Sequence, residues 1–263
     1  MMRRHPPRSQ VPRPKPLGDV FFGANPVLEM LLATPEAVQA VFVTPGSGAA
    51  QVVAERARAL DVAVEMTDRA ALDRLTGGGH HQGVAARTRP FAYATLDGLL
   101  EARASLLVAL DGVTDPQNLG AIIRSAEVLG AGGLIIQRDR CAPVTPAAVR
   151  ASSGACAHLP IAQVVNLVRA LAEAKDRGYW VVGLDPEGSL LFQDLPPLEL
   201  ALLVVGSEGR GTRPLVVRAC DFRVRIPAQG RVASLNASVA TGIGLYVLRE
   251  RQLAGRTGGR PSR

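Results

Sequence analysis

The chain has 263 residues, of which 47% are hydrophobic and 4% aromatic, and its formal net charge is +7. This apolar content excludes a wholly disordered chain and suits one or two domains with an aliphatic core. The basic excess lies at the two ends, because residues 1–17 carry +5 and residues 249–263 carry +4. We predict a disordered basic tail at residues 1–17 and another basic tail at 256–263. Such tails either bind nucleic-acid phosphates or only favour solubility.

The three cysteines are Cys141, Cys156 and Cys220. None belongs to a C-x-x-C pair and their number is odd, so we predict neither a disulfide framework nor a metal site. No run of 18 apolar residues is present, which predicts no membrane helix and no membrane partner. The N-terminus lacks the apolar centre of a secretory signal. We therefore expect a cytoplasmic protein.

Residues 18–88 are predicted to form a small α/β domain, because short apolar runs alternate with segments of helical periodicity. The predicted helices are residues 26–32, 49–60 and 70–75, and the predicted strands are residues 40–43, 62–66 and 84–86. Residues 89–104 are predicted to be a linker, within which residues 96–102 form one helical stretch.

Residues 105–255 are predicted to form the second domain, in which strands and helices again alternate. The predicted strands are residues 106–110, 133–137, 179–184, 202–205 and 222–226, and the predicted helices are 119–129, 166–177 and 234–251. The strands are continuously apolar, which indicates burial on both faces. We therefore predict the α/β class, with a mostly parallel sheet covered by helices on both sides.

Ligands of open α/β sheets bind at the carboxyl ends of the strands, where three polar or glycine-rich segments follow here. The first spans residues 118–124. In it Gly120 and Arg124 are four residues apart and share one helix face, which leaves room for a polyanion. The alternative interpretation is a solvated arginine on an amphipathic helix.

The second segment, residues 206–211, has three glycines, which allow positive φ angles and close approach of a ligand. It is neither a G-x-G-x-x-G motif nor a P-loop, and a plain surface turn is the alternative. The third combines residues 226–230 with 234–238. A helix that begins with Ser, Asn and Ser offers amide groups to a ligand, unless Ser234 simply caps it.

Together, in order and spacing, the three segments resemble the motifs of the SpoU (TrmH) family of RNA ribose 2′-O-methyltransferases, in the knotted SPOUT superfamily. The resemblance covers residues 106–249. The matching residues are Asn118, Gly120 and Arg124 in the first motif, Gly206, Glu208 and Gly211 in the second, and Pro227, Gly230, Ser234, Leu235, Asn236 and Ser238 in the third. Ala228 and Ala237 stand where the family often has Met and Val.

Residues 22–29 and 81–84 resemble the two ends of the ribosomal-protein-like RNA-binding domain that many members carry. The subfamily with this layout modifies a guanosine of large-subunit ribosomal RNA. The resemblance therefore implies structured RNA as partner, a C-terminal trefoil knot and a homodimer formed through the last helix. In that helix Ala240, Gly242 and Gly244 would suit close contact with a second subunit.

The resemblance also implies S-adenosylmethionine as cofactor and assigns residues to its site. Those implied to bind the cofactor are Gly206, Ile226, Pro227, Gly230 and Leu235, and those implied to act in catalysis are Asn118, Arg124, Glu208, Ser234 and Asn236. The family assigns proton removal to the arginine that matches Arg124. Arginine is effectively always protonated, so we expect Arg124 to bind phosphate and stabilise the developing alkoxide instead. Asn118, Glu208 and Asn236 would orient Arg124 and the ribose.

Three alternatives stay open at this point. The same enzyme class acts on transfer RNA or on other ribosomal RNA sites, including antibiotic-resistance sites. A non-catalytic RNA-binding assembly factor would have the same basic tails and small N-terminal domain. A nucleotide-dependent metabolic enzyme on a doubly wound sheet is disfavoured by the absence of a dinucleotide fingerprint or P-loop.

Overall fold

The structure, a computed structural model, describes residues 20–33, 35–230 and 234–257. The predicted tail at residues 1–17 and residues 258–263 of the second tail lie outside the described residues. The described chain forms two sheets that are joined through residues 89–104. No helix in these three ranges is long and apolar enough to cross a membrane.

The first sheet is small and mixed. Its strands are β1 (Val20–Phe22), β2 (Val38–Val43), β3 (Ala63–Met66) and β4 (Val84–Thr88), and its helices are α1 (Ala24–Ala33), α2 (Gly48–Ala59) and α3 (Arg69–Thr76). The strand order is β1-β4-β2-β3; β2 and β3 are parallel, and β4 is antiparallel to β1 and β2. All six elements predicted between residues 26 and 86 are present, with ends within two residues of the prediction.

The second sheet has seven parallel strands. The elements from residue 96 onward are α4 (Leu96–Glu101), β5 (Leu106–Asp111), α5 (Pro116–Val128), β6 (Leu134–Gln137), α6 (Pro146–Ala151), β7 (Ile161–Val164), α7 (Leu167–Asp176), β8 (Trp180–Leu184), β9 (Leu190–Leu191), β10 (Ala201–Gly206), α8 (Pro214–Ala219), β11 (Phe222–Arg225) and α9 (Ala237–Thr257). The strand order is β7-β6-β5-β10-β8-β11-β9. Every pairing is parallel, which confirms the predicted α/β class. The trefoil knot stays a prediction.

Strands β5 and β10 lie at the centre of this sheet and are buried along their whole length. Helix α5 begins at Pro116, three residues before the predicted start. Asp115 caps it by accepting hydrogen bonds from the amides of Gln117 (3.1 Å) and Asn118 (3.3 Å), and proline suits the first helical position. Five short elements, β1, α6, β7, β9 and α8, were not predicted from the sequence.

Helix α9 begins three residues later than predicted. The Oδ1 atom of Asn236 accepts hydrogen bonds from the amides of Ser238 (2.9 Å) and Val239 (3.3 Å). Asn236 is therefore the N-cap, and the alternative in which Ser234 caps this helix does not hold. Ser234 lies outside the helix, in an exposed segment.

Residues 89–104, predicted to be a linker, are packed against the second sheet. The amide of Val144 donates to the Tyr93 hydroxyl at 3.0 Å, and Ala94 forms a parallel bridge to Ala162. Leu99 and Leu100 of α4 are buried in the core. The segment therefore joins the two sheets as an ordered part of the structure, with α4 where a helical stretch was predicted.

The three cysteines are free thiols among the described residues, and those ranges contain no group of His, Cys, Asp or Glu suited to hold a metal ion. Cys141 and Cys156 are buried, and Cys220 is half-buried. Burial raises the pKa of the Cys156 thiol to about 11 and that of the Cys220 thiol to about 12.

From the raised pKa values of Cys156 and Cys220 we predict that the free energy of unfolding falls at high pH. Because their folded pKa values lie above the ordinary value of 9.0, the folded state keeps protons that the unfolded chain releases. The contribution of the two protonated thiols to the free energy of unfolding is complete below pH 9. It declines as the pH rises toward their pKa values in the folded state. We expect the free energy of unfolding to fall less steeply over this range in a Cys156→Ala/Cys220→Ala variant than in the wild type. Equal slopes in denaturant titrations would contradict this assignment.

A second prediction concerns Gly120 on α5. A Cβ atom there would lie 2.4 Å from the Ala148 carbonyl oxygen and 2.4 Å from the Ala151 Cβ, both on α6. We expect Gly120→Ala to lower the free energy of unfolding by about 1–3 kcal/mol, because the helices must separate. The control is Gly48→Ala at the start of α2, where nothing lies within 4 Å and no loss is expected. Equal stability of the two variants would disprove the tight packing.

Candidate functional site

The predicted site lies at the carboxyl edge of the parallel sheet. Strands β10, β8 and β11 are neighbours in that order, so their carboxyl ends open onto the same edge. A cavity of about 460 Å³ lies there, a size typical of small-molecule sites. It is lined by Leu184, Asp185, Pro186, Val205, Gly206, Ser207, Glu208, Gly209, Gly211, Arg225, Ile226, Pro227, Ala228, Ser234, Leu235, Ala237 and Ala240.

The cavity contains most of the residues that the sequence assigned to the cofactor. Gly206, Ile226, Pro227 and Leu235 line it, whereas Gly230 is not among its described lining residues. Two residues assigned to catalysis, Glu208 and Ser234, line the same cavity. The second and third motifs therefore form one concave site, although they are separated by β11.

The glycines of the loop after β10 are required by the path of the loop's own backbone. A Cβ atom on Gly206 would lie 2.2 Å from the carbonyl carbon of Gly211. The loop closes on itself, because the amide of Ser207 donates to the Gly211 carbonyl (3.1 Å) and the Gly211 amide donates back (2.9 Å). Gly209 and Gly211 have φ angles of 77° and 64°. The predicted close approach at Gly206 is thus made by the returning chain, which shapes the cavity wall.

A buried carboxylate anchors the chain that leaves this loop. Asp111 ends β5, its side chain has no exposed surface, and its Oδ2 accepts the backbone amide of Arg213 at 2.8 Å. Its Oδ1 accepts Nε of the same arginine at 2.7 Å, while Nη2 donates to Gln137 at 2.9 Å. Sequence reasoning missed this network, although an aspartate at the end of a buried strand was a signal that could have revealed it.

The three motifs meet at the Glu208 carboxylate. Its Oε1 accepts a hydrogen bond from Asn118 Nδ2 at 3.1 Å, another from Asn236 Nδ2, and a third from the Ala237 amide at 3.2 Å. Asn236 Nδ2 also donates to Asn118 Oδ1 at 2.9 Å. Three residues predicted to cooperate, Asn118, Glu208 and Asn236, are therefore in direct contact beside the cavity.

Arg124 lies further along α5 and has a different partner. Its side chain is exposed, and Nη1 donates to the Ser153 hydroxyl at 3.1 Å. In the described structure the Arg124 guanidinium is hydrogen-bonded to Ser153, and the role of Asn118, Glu208 and Asn236 in orienting Arg124 and the ribose stays a prediction. Arg124 lies six positions after Asn118 on this helix, which is a rise of about 9 Å along the helix axis.

Gly120 does not leave room for a polyanion. It is buried where α5 contacts α6, so its missing side chain allows close helix packing. The prediction of an open face beside Arg124 is wrong at this position. The exposed part of the segment is Arg124 itself, one turn further along.

The loop after β8 contributes lining residues that sequence reasoning did not select. Asp185 and Pro186 line the cavity beside Leu184. Asp185 is held by Arg223, whose Nη2 lies 2.7 Å from its Oδ2. The rule that ligands bind at the carboxyl ends of strands would have found this loop, had it been applied to β8 as well. Ala228 and Ala237 also line the cavity, where larger side chains would reduce its volume.

Comparison with known families identifies both parts of the chain. The SpoU rRNA Methylase family matches residues 105–246, more than half of the chain. The family described as RNA 2′-O ribose methyltransferase substrate binding matches residues 20–94. The first match covers the parallel sheet with its cavity, and the second covers the small mixed sheet.

Similar proteins agree with this assignment. A protein of Mycolicibacterium paratuberculosis described as an uncharacterized tRNA/rRNA methyltransferase is 44% identical over 90% of this chain and 79% of its own length. The AdoMet-bound rRNA methyltransferase of Sinorhizobium meliloti is 27% identical, with a TM-score of 0.75 over 89% of this chain and 87% of that one.

The SpoU methyltransferase AviRb of Streptomyces viridochromogenes, in complex with AdoMet, is 26% identical, with a TM-score of 0.77 over 90% of this chain and 91% of that one. The sequence similarity to the curated relative and the fold similarity to the solved structures point to the same family. The chain therefore belongs to the SpoU rRNA methylase family and is an S-adenosylmethionine-dependent RNA methyltransferase.

Proposed function

We propose that this enzyme methylates the 2′-hydroxyl of a ribose, in a guanosine of large-subunit ribosomal RNA. The observation that carries the proposal is the contact between Asn118, Glu208 and Asn236 beside the cavity. The match of residues 20–94 to a 2′-O ribose substrate-binding family supports the ribose as target. We also propose that the enzyme acts in the cytoplasm.

The residues of the cavity fit S-adenosylmethionine. Val205, Ile226 and Leu235 offer apolar surface for a flat ring, while the glycine-rich loop from Gly206 exposes backbone groups to polar parts of a ligand. When bound, S-adenosylmethionine supplies an electrophilic methyl group on a positively charged sulfonium. The protein's own task is to position the ribose hydroxyl and to assist the departure of its proton.

Arg124 is the residue that we propose to stabilise the reacting oxygen. Its guanidinium is exposed and effectively always protonated, so it suits an RNA phosphate and the negative charge that develops on O2′. Glu208 has a different role, because its Oε1 already accepts hydrogen bonds from three donors. Glu208 therefore holds Asn118 and Asn236 in position, and these side chains can orient the ribose.

The first test is transfer of a labelled methyl group from S-adenosylmethionine to unmodified large-subunit ribosomal RNA and transfer RNA, followed by nuclease mapping. We expect label on a ribose of ribosomal RNA. Arg124→Ala should lower kcat by about 10²- to 10³-fold, as the loss of an oxyanion donor does. Arg124→Lys should stay impaired, because lysine lacks the planar, two-pronged guanidinium.

The control is Arg169→Ala on α7, where an exposed arginine pairs with Glu173 far along the chain from the motifs. It should keep full activity. Full turnover by Arg124→Lys would disprove a role for the planar guanidinium. Label only in transfer RNA would show that the substrate is transfer RNA and not ribosomal RNA. No label in either RNA, together with no cofactor binding, would favour the assembly factor.

We also propose a homodimer that forms through α9. Val239, Ile243 and Tyr246 follow one another at spacings of four and three residues, so they share a face, and each is at least 36% exposed. The small residues of this helix pack within the chain instead. A Cβ on Gly244 would lie 3.0 Å from Leu203, and one on Gly242 would lie 3.8 Å from Ser125. Larger apolar side chains are therefore what α9 offers a second subunit.

Ile243→Glu should convert the dimer to a monomer, because it places a charge in an apolar contact. Sedimentation velocity of the full chain measures the outcome. The control is Val52→Glu, which changes another exposed apolar side chain, on helix α2 of the first domain, and should leave the mass unchanged. A wild-type sedimentation coefficient for Ile243→Glu would rule out this interface.

A further inference from the structure

Arg124 is linked to the first sheet by a short series of contacts. Its partner Ser153 follows α6 and has a φ of 53°, a left-handed conformation that few residues other than glycine adopt. Arg150 lies in the last turn of α6, and its guanidinium carbon is 4.9 Å from the centre of the Phe22 ring on β1. One turn of chain thus carries the partner of Arg124 and an arginine that contacts the first sheet.

The Phe22 ring is held firmly under Arg150. Phe22 is half-buried, and a Cβ atom on Gly79 would lie 2.3 Å from its Cζ atom, so the chain at Gly79 closes on the ring. An arginine over an aromatic ring is attracted by the ring's negative face. The Phe22 ring therefore holds the guanidinium of the exposed Arg150 in place from one side, and the other face of the guanidinium is available to a ligand.

Among the residues that the structure describes, Arg124 and Arg150 also lack the carboxylate partners that other arginines have. Arg169, Arg213 and Arg223 each pair with an aspartate or glutamate. Within the described ranges no carboxylate forms an ion pair with Arg124 or Arg150.

An acidic side chain that packs against the turn after α6 is already engaged. Glu29 of α1 packs at Gly154, but its Oε2 lies 2.9 Å from Nε2 of His158. The described chain thus leaves two positive charges without a carboxylate partner, one on Arg124, which contacts Ser153, and one on Arg150, three residues before Ser153 in the chain. Such charges suit the phosphates of an anionic polymer.

We propose that Phe22, Arg150 and Arg124 form a subsite for a nucleotide that flanks the methylated one in the RNA. The two guanidiniums bind phosphates of the RNA around this flanking nucleotide. The base of the flanking nucleotide, unstacked from its neighbours, lies on the outer face of Arg150, above Phe22. The subsite joins the substrate-binding part of the chain to the catalytic part. It rests on the proposed function, in which Arg124 acts beside the target ribose.

The test measures binding of the full chain to an unmodified large-subunit ribosomal RNA transcript without cofactor, at several salt concentrations, and then methyl transfer. We expect Arg150→Ala to weaken RNA binding and raise the RNA KM by about 10-fold, as loss of a stacked base does. The slope of log affinity against log salt should fall by about one, because one phosphate contact is lost. The kcat and the affinity for S-adenosylmethionine should not change.

Three variants separate the subsite from a purely structural role. Arg150→Lys should restore the salt slope but not the full affinity, because it keeps the charge and loses the stacking plane. Phe22→Leu should weaken RNA binding without changing the salt slope. Arg169→Ala removes one exposed positive charge elsewhere and should bind RNA like the wild type.

Two outcomes would overturn the subsite. One is wild-type RNA affinity and salt slope in Arg150→Ala. The other is a loss of thermal stability and cofactor binding in that variant with an unchanged salt slope, which would make Arg150 a structural clamp. Failure of the proposed function is a separate result, because it would appear as wild-type enzyme that binds RNA and transfers no label to ribose.

Discussion

The shared hydrogen bonds of Glu208 are the interaction on which the site depends. This one carboxylate oxygen receives Asn118 from α5, Asn236 before α9 and the Ala237 amide at the start of α9. Asn236 in turn caps α9. The position of the last helix, and hence the wall of the cavity near Ala240, is therefore tied to the loop that follows β10.

That loop is itself constrained by two features of the central strands. The backbone of Gly211 crosses so close to Gly206 that no side chain fits there, and the buried Asp111 holds Arg213 where the chain returns. Both anchors are at the ends of β5 and β10, which are buried along their length. Rigid strands thus position a glycine-rich loop, an arrangement that keeps a binding site in shape without a ligand.

The turn after α6 connects this catalytic edge to the first sheet. Ser153 orients Arg124, Gly154 allows the close approach of Glu29, and Arg150 covers Phe22. The sheet that matches the substrate-binding family and the sheet that carries the cavity are therefore joined through a few residues. An RNA bound across the contact between the first sheet and the turn after α6 would reach Arg124, the arginine proposed to act on its ribose.

The sequence by itself determined the α/β class, the positions of the long helices and strands, and the motifs at the carboxyl edge, because periodicity and turn chemistry are local properties. It left the cap of α9 open, since Ser234 and Asn236 are both good caps locally, and the structure assigns the cap to Asn236. It also predicted that Gly120 leaves space for a polyanion, although this glycine allows α6 to pack closely against α5. The pairings Arg124–Ser153, Asp111–Arg213 and Phe22–Arg150 join residues far apart in the chain, and the strand order sets which ends meet. Only the tertiary structure decided these contacts, because they depend on how helices and strands pack and not on the residues that neighbour them in sequence.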